Sequence, residues 1–269
     1  MRNEEKVQSA SLMDAEMATA AIRTRRARPV DAPLLAWAML TASRGHVKKG
    51  YWDLFIPDSE EQRLAFLTKL ILAEPGPPSH WSVFTVAELE GEPASVLSGY
   101  RVGQFAKKEC VGAMREAARA MGWIEHEELA ASKRAEHLVP CYPDSLEGLW
   151  VIENVATLPG YRGAGATTLL MERSIGEGRE AGLAAVELQA AMGNRRAERF
   201  YERIGFVPFA EIRVETVHEM LGYPGVVRLI LDLRSAGARE EESIQEMARR
   251  LVREQEQRSK VDPIVKTIY

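Results

Sequence analysis

The six residues Arg162-Gly163-Ala164-Gly165-Ala166-Thr167 stand between an apolar alternating run and a helix-like stripe. A turn of this composition presents consecutive backbone N–H groups at a helix start, which holds phosphate without recruiting side chains. A cofactor bearing a pyrophosphate is therefore the first chemistry to consider. A P-loop would close on Gly-Lys-Ser/Thr, and no lysine occurs between Lys133 and Lys260, so that reading fails. A Rossmann dinucleotide site wants a third glycine three residues after the second and an acidic residue ending the next strand. That third glycine is missing here. A plain tight turn with no ligand is the bland alternative.

The flanking residues predict strand, turn, helix, strand and helix over 149–206. Val151, Glu153, Val155 and Thr157 alternate with Trp150, Ile152, Asn154 and Ala156, a strand with two distinct faces on which Glu153 and Val155 share a side. Pro159 cannot donate to a sheet ladder and marks the strand's end. Ala166, Leu170, Met171, Ser174, Ile175 and Gly178 recur at helical spacing, and Gly182 is placed to stop that helix. Ala184, Val186, Leu188 and Ala190 then alternate as a second strand. Strand, crossover helix and strand imply a parallel pair with a right-handed connection.

Two stretches carry a family resemblance. Val155-Ala156-Thr157-Leu158-Pro159 followed by Arg162, Gly163, Ala164, Gly165 and Ala166 is similar to the R/Q-x-x-G-x-G/A turn and preceding strand of the GNAT superfamily, the acyl-CoA-dependent N-acyltransferases. The last motif position is Thr167 instead of Gly or Ala. Downstream, Asn194, Ala197, Phe200, Tyr201, Gly205 and Phe206 resemble that family's second signature, N-x-x-A-x-x-(L/F)-Y-x-x-x-GF. The resemblance implies an α/β (α+β) fold: a mixed, mostly antiparallel central sheet flanked by helices, with splayed parallel central strands forming the acyl-CoA cleft. It implies acetyl-CoA or another acyl-CoA as co-substrate; no metal is expected, because the five histidines are scattered without ligand spacing. The pyrophosphate would lie on the amides of Arg162, Gly163, Ala164, Gly165, Ala166 and Thr167, and the thioester against Val155, Ala156 and Thr157.

Acyl transfer to an amine needs a neutral nucleophile, although an alkyl ammonium has a pKa near roughly 10. A carboxylate or a water chain must take a proton, and a donor should protonate the leaving thiolate. Charge developing on the thioester oxygen is best met by a fixed backbone N–H. Glu153 is the first candidate base, its setting being similar to that in glucosamine-phosphate acetyltransferases; a purely hydrogen-bonding or ammonium-binding carboxylate is the alternative. Glu187 is the second candidate. Gln189 shares its face and stands where the resembling ribosomal-protein N-terminal acetyltransferases carry glutamate. Tyr201 is the candidate general acid by the second signature, though its helical neighbours Ala197, Phe200 and Ile204 also suit a core role. Asn194 is expected to cap that helix and to touch the pantetheine arm.

The chain has 269 residues, 46% of them hydrophobic, and a formal net charge of −4. That size suits one large or two modest domains, and that charge gives no reason to expect nucleic acid. No apolar run approaches a membrane span. Cys110 and Cys141 lack metal-ligand spacing, the five histidines are scattered, and no secretory leader is evident, so a reducing, cytoplasmic setting is expected. Residues 1–20 read as a loosely held extension, 21–234 as the acyltransferase domain and 235–269 as an amphipathic helix with a tail. A strand is expected from Ile22 to Arg28, a helix from Ala32 to Ser43 capped by Asp31, another over Glu60–Leu72, and a hairpin of Ser82–Leu89 with Ala94–Val102 around Glu90–Pro93. The 107–147 segment is long for its place. It reads as a helix near Met114–Met121 followed by a polar region, and as either a wall over the acceptor site or a packing elaboration. Val226–Leu233 is expected to be the last strand. Ile244, Met247, Ala248, Leu251 and Val252 form a stripe that must bury against its own domain, a twin subunit in a homodimer, or another partner.

The function expected is direct acetyl transfer from acetyl-CoA to a primary amine, small molecule or peptide, in a ternary complex. The alternative is a non-catalytic CoA-binding or interaction module on the same fold. The acceptor is not written in the sequence.

Overall fold

The computed structural model describes residues 22–74 and 76–261. The extension expected over residues 1–20 and the end of the C-terminal tail lie outside these. In chain order the elements are β1 (Ile22–Arg26), α1 (Ala32–Arg44), α2 (Tyr51–Phe55), α3 (Glu60–Ile71), β2 (Phe84–Leu89), β3 (Glu92–Arg101), α4 (Lys107–Ala120) and α5 (Glu125–Glu136). They continue as β4 (Trp150–Thr157), α6 (Ala166–Glu180), β5 (Ala185–Ala191), α7 (Arg195–Ile204), β6 (Val207–Arg213), α8 (Glu215–Leu221), β7 (Gly225–Asp232), α9 (Ala236–Glu241) and α10 (Ile244–Val261).

One seven-stranded sheet runs β1-β2-β3-β4-β5-β7-β6. Every neighbouring pair is antiparallel except β4 and β5. The mixed, mostly antiparallel sheet expected from the resemblance is therefore present. The strand Val226–Leu233 is last in the chain but lies inside the sheet, because β6 adds outside it. Three differences from the sequence reading have local causes. The β2–β3 turn is only Glu90-Gly91, both at positive φ (55° and 88°), the twist a two-residue hairpin demands. Pro93 falls inside β3, at a register shift beside Glu88, where a missing N–H is tolerated. Asp31 makes no side-chain cap on α1, because its carboxylate accepts from the Arg28 amide at 2.7 Å and from both Arg25 terminal nitrogens at 2.7 and 3.0 Å.

Core residues sit on both faces of the sheet. On one face, α6 and α7 cover β3, β4 and β5 through Leu170, Met171, Ile175 and Phe206. On the other, α1 to α5 cover the β1–β4 half around Leu35, Phe66, Phe84 and Val96. The β5–β7–β6 half of that second face is closed by α8, α10 and the segment 138–149, which brings Leu138, Cys141, Leu146 and Leu149 against the strands.

The C-terminal stripe thus buries within its own chain. Met247 and Ala248 pack on Phe209 and Ile230, with Ile244, Leu251 and Val252 alongside. Its helix begins at Ile244, where Ser243 and Glu246 form a capping box: the Glu246 amide donates to Ser243 Oγ at 3.3 Å and the Ser243 amide to Glu246 Oε2 at 3.0 Å. This packing predicts that Met247→Ala lowers unfolding free energy by about 2–3 kcal/mol in urea titrations. Arg249→Ala, on the exposed side, should change it by less than about 0.5 kcal/mol. Equal effects would mean that the helix is not seated on the sheet.

Candidate active site

The parallel pair β4/β5 is where the sheet opens. Only Trp150–Val186 and Val151–Glu187 are in register, and β4 then leaves β5. The departure coincides with Asn154, which adopts φ +55° and donates Nδ2–H to Ser98 Oγ at 3.0 Å. Across β3 the register steps from Ser98–Glu153 to Val96–Ala156, so one extra residue is inserted into β4. Such a bulge reverses the alternation beyond it. Glu153 shares the face of Tyr100, whereas Val155 packs with the α6/α7 layer and Ala156 with the α1–α5 layer. The sequence reading put Glu153 and Val155 on one face; the bulge separates them.

The glycine turn begins with a short 3-10 segment, Pro159–Tyr161, and reaches α6 through Gly163 (φ +89°) and Gly165 (φ +88°). A Cβ would meet nothing within 4 Å at Gly163 and only Ile22 Cδ1 at 3.8 Å at Gly165, so glycine is needed there for conformation, not for space. The amides of Arg162 and Ala164 donate, at 3.4 Å each, to the carbonyls of Pro159 and Tyr161. Among the described residues, no acceptor faces the amides of Gly163, Gly165, Ala166, Thr167 or Thr168. These five open donors sit at the positive end of the fifteen-residue helix α6. They suit an oxyanion.

Thr167 is the motif's odd position, and its side chain turns inward. Its hydroxyl meets Thr157 Oγ1 at 2.6 Å and Ser95 Oγ at 3.2 Å, and those two meet at 3.0 Å. The branched side chain therefore ties the helix start to the end of β4 and leaves the amides clear. Sequence reasoning missed this cluster; Thr157 and Thr167 at the two ends of the turn were its local signal, whereas Ser95 comes from β3.

Glu153 accepts from the Tyr100 hydroxyl at 3.0 Å. Its side chain is exposed to solvent, although many protein atoms lie near the carboxyl. Burial raises its carboxyl pKa, the charge of Glu187 adds to this, and the Tyr100 bond works against it. Tyr201 lies on α7 in the opposite layer, edge-on to Phe206. Its hydroxyl has no hydrogen-bond partner among the described residues, and burial pushes its pKa up to about 12. Asn194 caps α7, accepting the Ala197 amide at 3.3 Å. The α1–α2 loop reaches this corner, since a Cβ on Gly193 would lie 3.5 Å from His46 Nε2 and one on Gly45 3.5 Å from Asn194 Nδ2.

Glu187 is occupied otherwise. It is 0% exposed, and its Oε1 accepts from Arg228 Nε at 2.9 Å and Nη2 at 2.6 Å, while Oε2 accepts the Leu146 amide at 2.7 Å. Burial pushes its carboxyl pKa upward, opposed by Arg228 and the Leu146 amide. All three partners are N–H donors, so the ionised form is the one held. Gln189 Nε2 donates to Pro143 O at 3.0 Å and Arg228 Nη2 to Asp144 O at 3.3 Å, so β5 and β7 pin the strap 143–146 beside the point where the sheet opens. This geometry gives Glu187 a positioning task rather than a proton to abstract. An arginine inside the run VVRLILDL was the sequence signal, because a charge so flanked must find a buried partner.

Among the described residues, no group of His, Cys, Asp or Glu could hold a metal, and no helix is long and apolar enough to cross a membrane.

Against known proteins, the family model of the Acetyltransferase (GNAT) family matches residues 49–206. An acetyltransferase crystal structure is similar at a TM-score of 0.57 and 18% identity, covering 79% of this chain and 100% of that one. An N-acetyltransferase from Staphylococcus aureus Mu50 is similar at 0.53 and 17%, covering 78% and 100%. At those identities the two structures speak to the fold. No curated protein matches the chain.

Two measurements test this geometry. By carbon-13 NMR the Glu153 carboxyl should titrate above the usual glutamate value of about 4.3. Tyr100→Phe removes a donor to the charged form and should move it higher; a downward move would contradict the contact. Glu187→Gln leaves Arg228 uncompensated and should cost about 3–5 kcal/mol in denaturant unfolding. An unchanged midpoint would show that the pair is not buried.

Proposed function

We propose, from the premise that this chain belongs to the GNAT acetyltransferase family, that it transfers an acetyl group from acetyl-CoA directly to a primary amine in a ternary complex. The observation that carries this reading is the set of five open amides at the start of α6, beside a parallel strand pair that separates after two residues. The diphosphate would lie on the amides of Gly163, Gly165, Ala166, Thr167 and Thr168. Arg162, exposed at the rim, would meet its outer charge, while the Arg162 and Ala164 amides keep the turn closed. When bound, acetyl-CoA supplies a thioester at the acyl level, so the residues need only move protons and steady charge.

The acceptor would enter from the Glu153 face. Glu153, with its raised pKa, takes the proton that the attacking amine loses. Tyr201, protonated across the physiological range, would approach from the other layer and give its proton to the leaving sulfur. The residues past the bulge, Val155, Ala156 and Thr157, would flank the thioester, where a fixed main-chain donor contributes more than a flexible side chain. Asn194 would stand by the pantetheine arm. The acceptor is a small-molecule or peptide amine, and the protein acts in the cytoplasm.

Glu153→Gln and Tyr201→Phe should each lower kcat about 100-fold or more against an accepted amine. CoA binding by calorimetry should survive in both. Full activity in both variants would remove these two groups from the reaction; absence of CoA binding by the wild-type chain would remove the reading itself.

A further inference from the structure

A second concave site lies away from the glycine turn. Between α2, α3, α5 and α8 a cleft of about 430 Å³ is lined by Lys49, Arg63, Lys133 and Arg134, with Asp53 as its one carboxylate. That volume is within the roughly 300–1,000 Å³ of small-molecule sites. The carboxylate is already spent: Arg44 grips both Asp53 oxygens at 2.8 and 2.9 Å, and Arg63 Nε lies 3.2 Å from Oδ1. Arg63 Nε is nevertheless sealed from solvent without an aligned acceptor.

Arg134 is fixed from behind, donating Nε to Leu54 O at 3.1 Å and Nη2 to Phe55 O at 2.9 Å. Lys49 and Lys133 have no carboxylate partner among the described residues, and His137 adds a further donor at the edge. Arg44 also pairs Glu60 at 2.9 Å, so Arg44 and Arg63 balance Asp53 and Glu60, and Lys49, Lys133 and Arg134 remain as three cations that make the cleft positive in a chain whose net charge is −4. A one-signed cleft with low-dielectric walls concentrates the opposite charge. Leu54 and Met220 supply an apolar wall, so an anion with a carbon body fits better than a bare ion.

We propose that this cleft binds a small organic polyanion, with Lys49 and Lys133 engaging its acidic groups and Arg134 held ready by α2. The site is separate from the α6 amides, and the inference stands whether or not acetyl transfer does. It also gives the 107–147 segment, source of Lys133, Arg134 and His137, a task beyond packing.

Calorimetric titration of the full chain with citrate, and separately with inorganic pyrophosphate, tests this with CoA present to occupy the α6 amides. At least one of the two should bind one to one, the arm that responds separating carboxylate from phosphate recognition. K49E/K133E should weaken that binding about tenfold or more, and K49R/K133R should keep it, because the charge is retained. Both lysines are exposed, so thermal midpoints should match; K49Q/K133Q replaces the reversal should they differ. No binding of either anion, or binding that survives charge removal, overturns the proposal. Pyrophosphate binding that is unaffected by the lysine variants and is seen only when CoA is omitted would belong to the glycine turn and would count against the cleft as well.

Discussion

A single left-handed residue in β4 governs the geometry of the site. Asn154 at φ +55° occupies a region that costs an L-residue roughly 1–2 kcal/mol, and asparagine is among the few that visit it routinely. Its amide is held by Ser98. The inserted residue interrupts a strand that would otherwise stay regular: Glu153 keeps the face of Tyr100, Val155 crosses to the α6/α7 layer, and pairing with β5 stops after Val151 while pairing with β3 resumes at Ala156. An unbulged β4 would continue along β5 and close the sheet.

The helix that presents the open amides is seated by small residues. A Cβ on Gly99 would lie 2.4 Å from Ser174 Oγ, and one on Gly178 would lie 3.0 Å from Trp150 Cβ. Trp150 Nε1 donates to Ser174 Oγ at 2.9 Å in the same contact. The glycines let α6 approach the sheet closely enough for that bond, which fixes the level at which its first turn meets β4. On the other face, the buried Glu187–Arg228 pair does comparable work for the strap. Its desolvation is offset by two guanidinium bonds and the Leu146 amide on Glu187, and by the Asp144 carbonyl on Arg228; in return it positions a chain segment that has no ladder of its own.

The unit from 149 to 206 was legible because its periods are strong and its breakers stand at the ends: Pro159, Gly182, and Asn194 as a true cap. The bulge was not, since alternation of residue types continues through Asn154 while the backbone phase changes. Helix α5 was read as a polar region because only Ala131 and Ala135 are buried, too few to draw a stripe, although its residues are good helix formers. Strand β6 and helix α8 passed unseen for a related reason: Pro208 interrupts a short edge strand, and α8 is seven residues long. The cationic cleft draws residues from four separate elements, and no local spacing encodes it. Family membership was readable from motifs, whereas the charges that surround a ligand are set by tertiary placement.

The hydroxyl cluster of Ser95, Thr157 and Thr167 has a consequence for how the turn behaves in different media. Ser95 Oγ also donates to the Ala156 carbonyl at 3.0 Å, so within the cluster it accepts from the threonine hydroxyls, and the hydroxyls are satisfied by neutral partners alone. None ionises in water's ordinary range and none carries formal charge. The clamp between strand end and helix start is therefore indifferent to acidity and to added electrolyte, unlike the guanidinium–carboxylate ties elsewhere in the molecule. An anion resting on those amides would meet a cradle whose shape stays constant while the surrounding electrostatics vary.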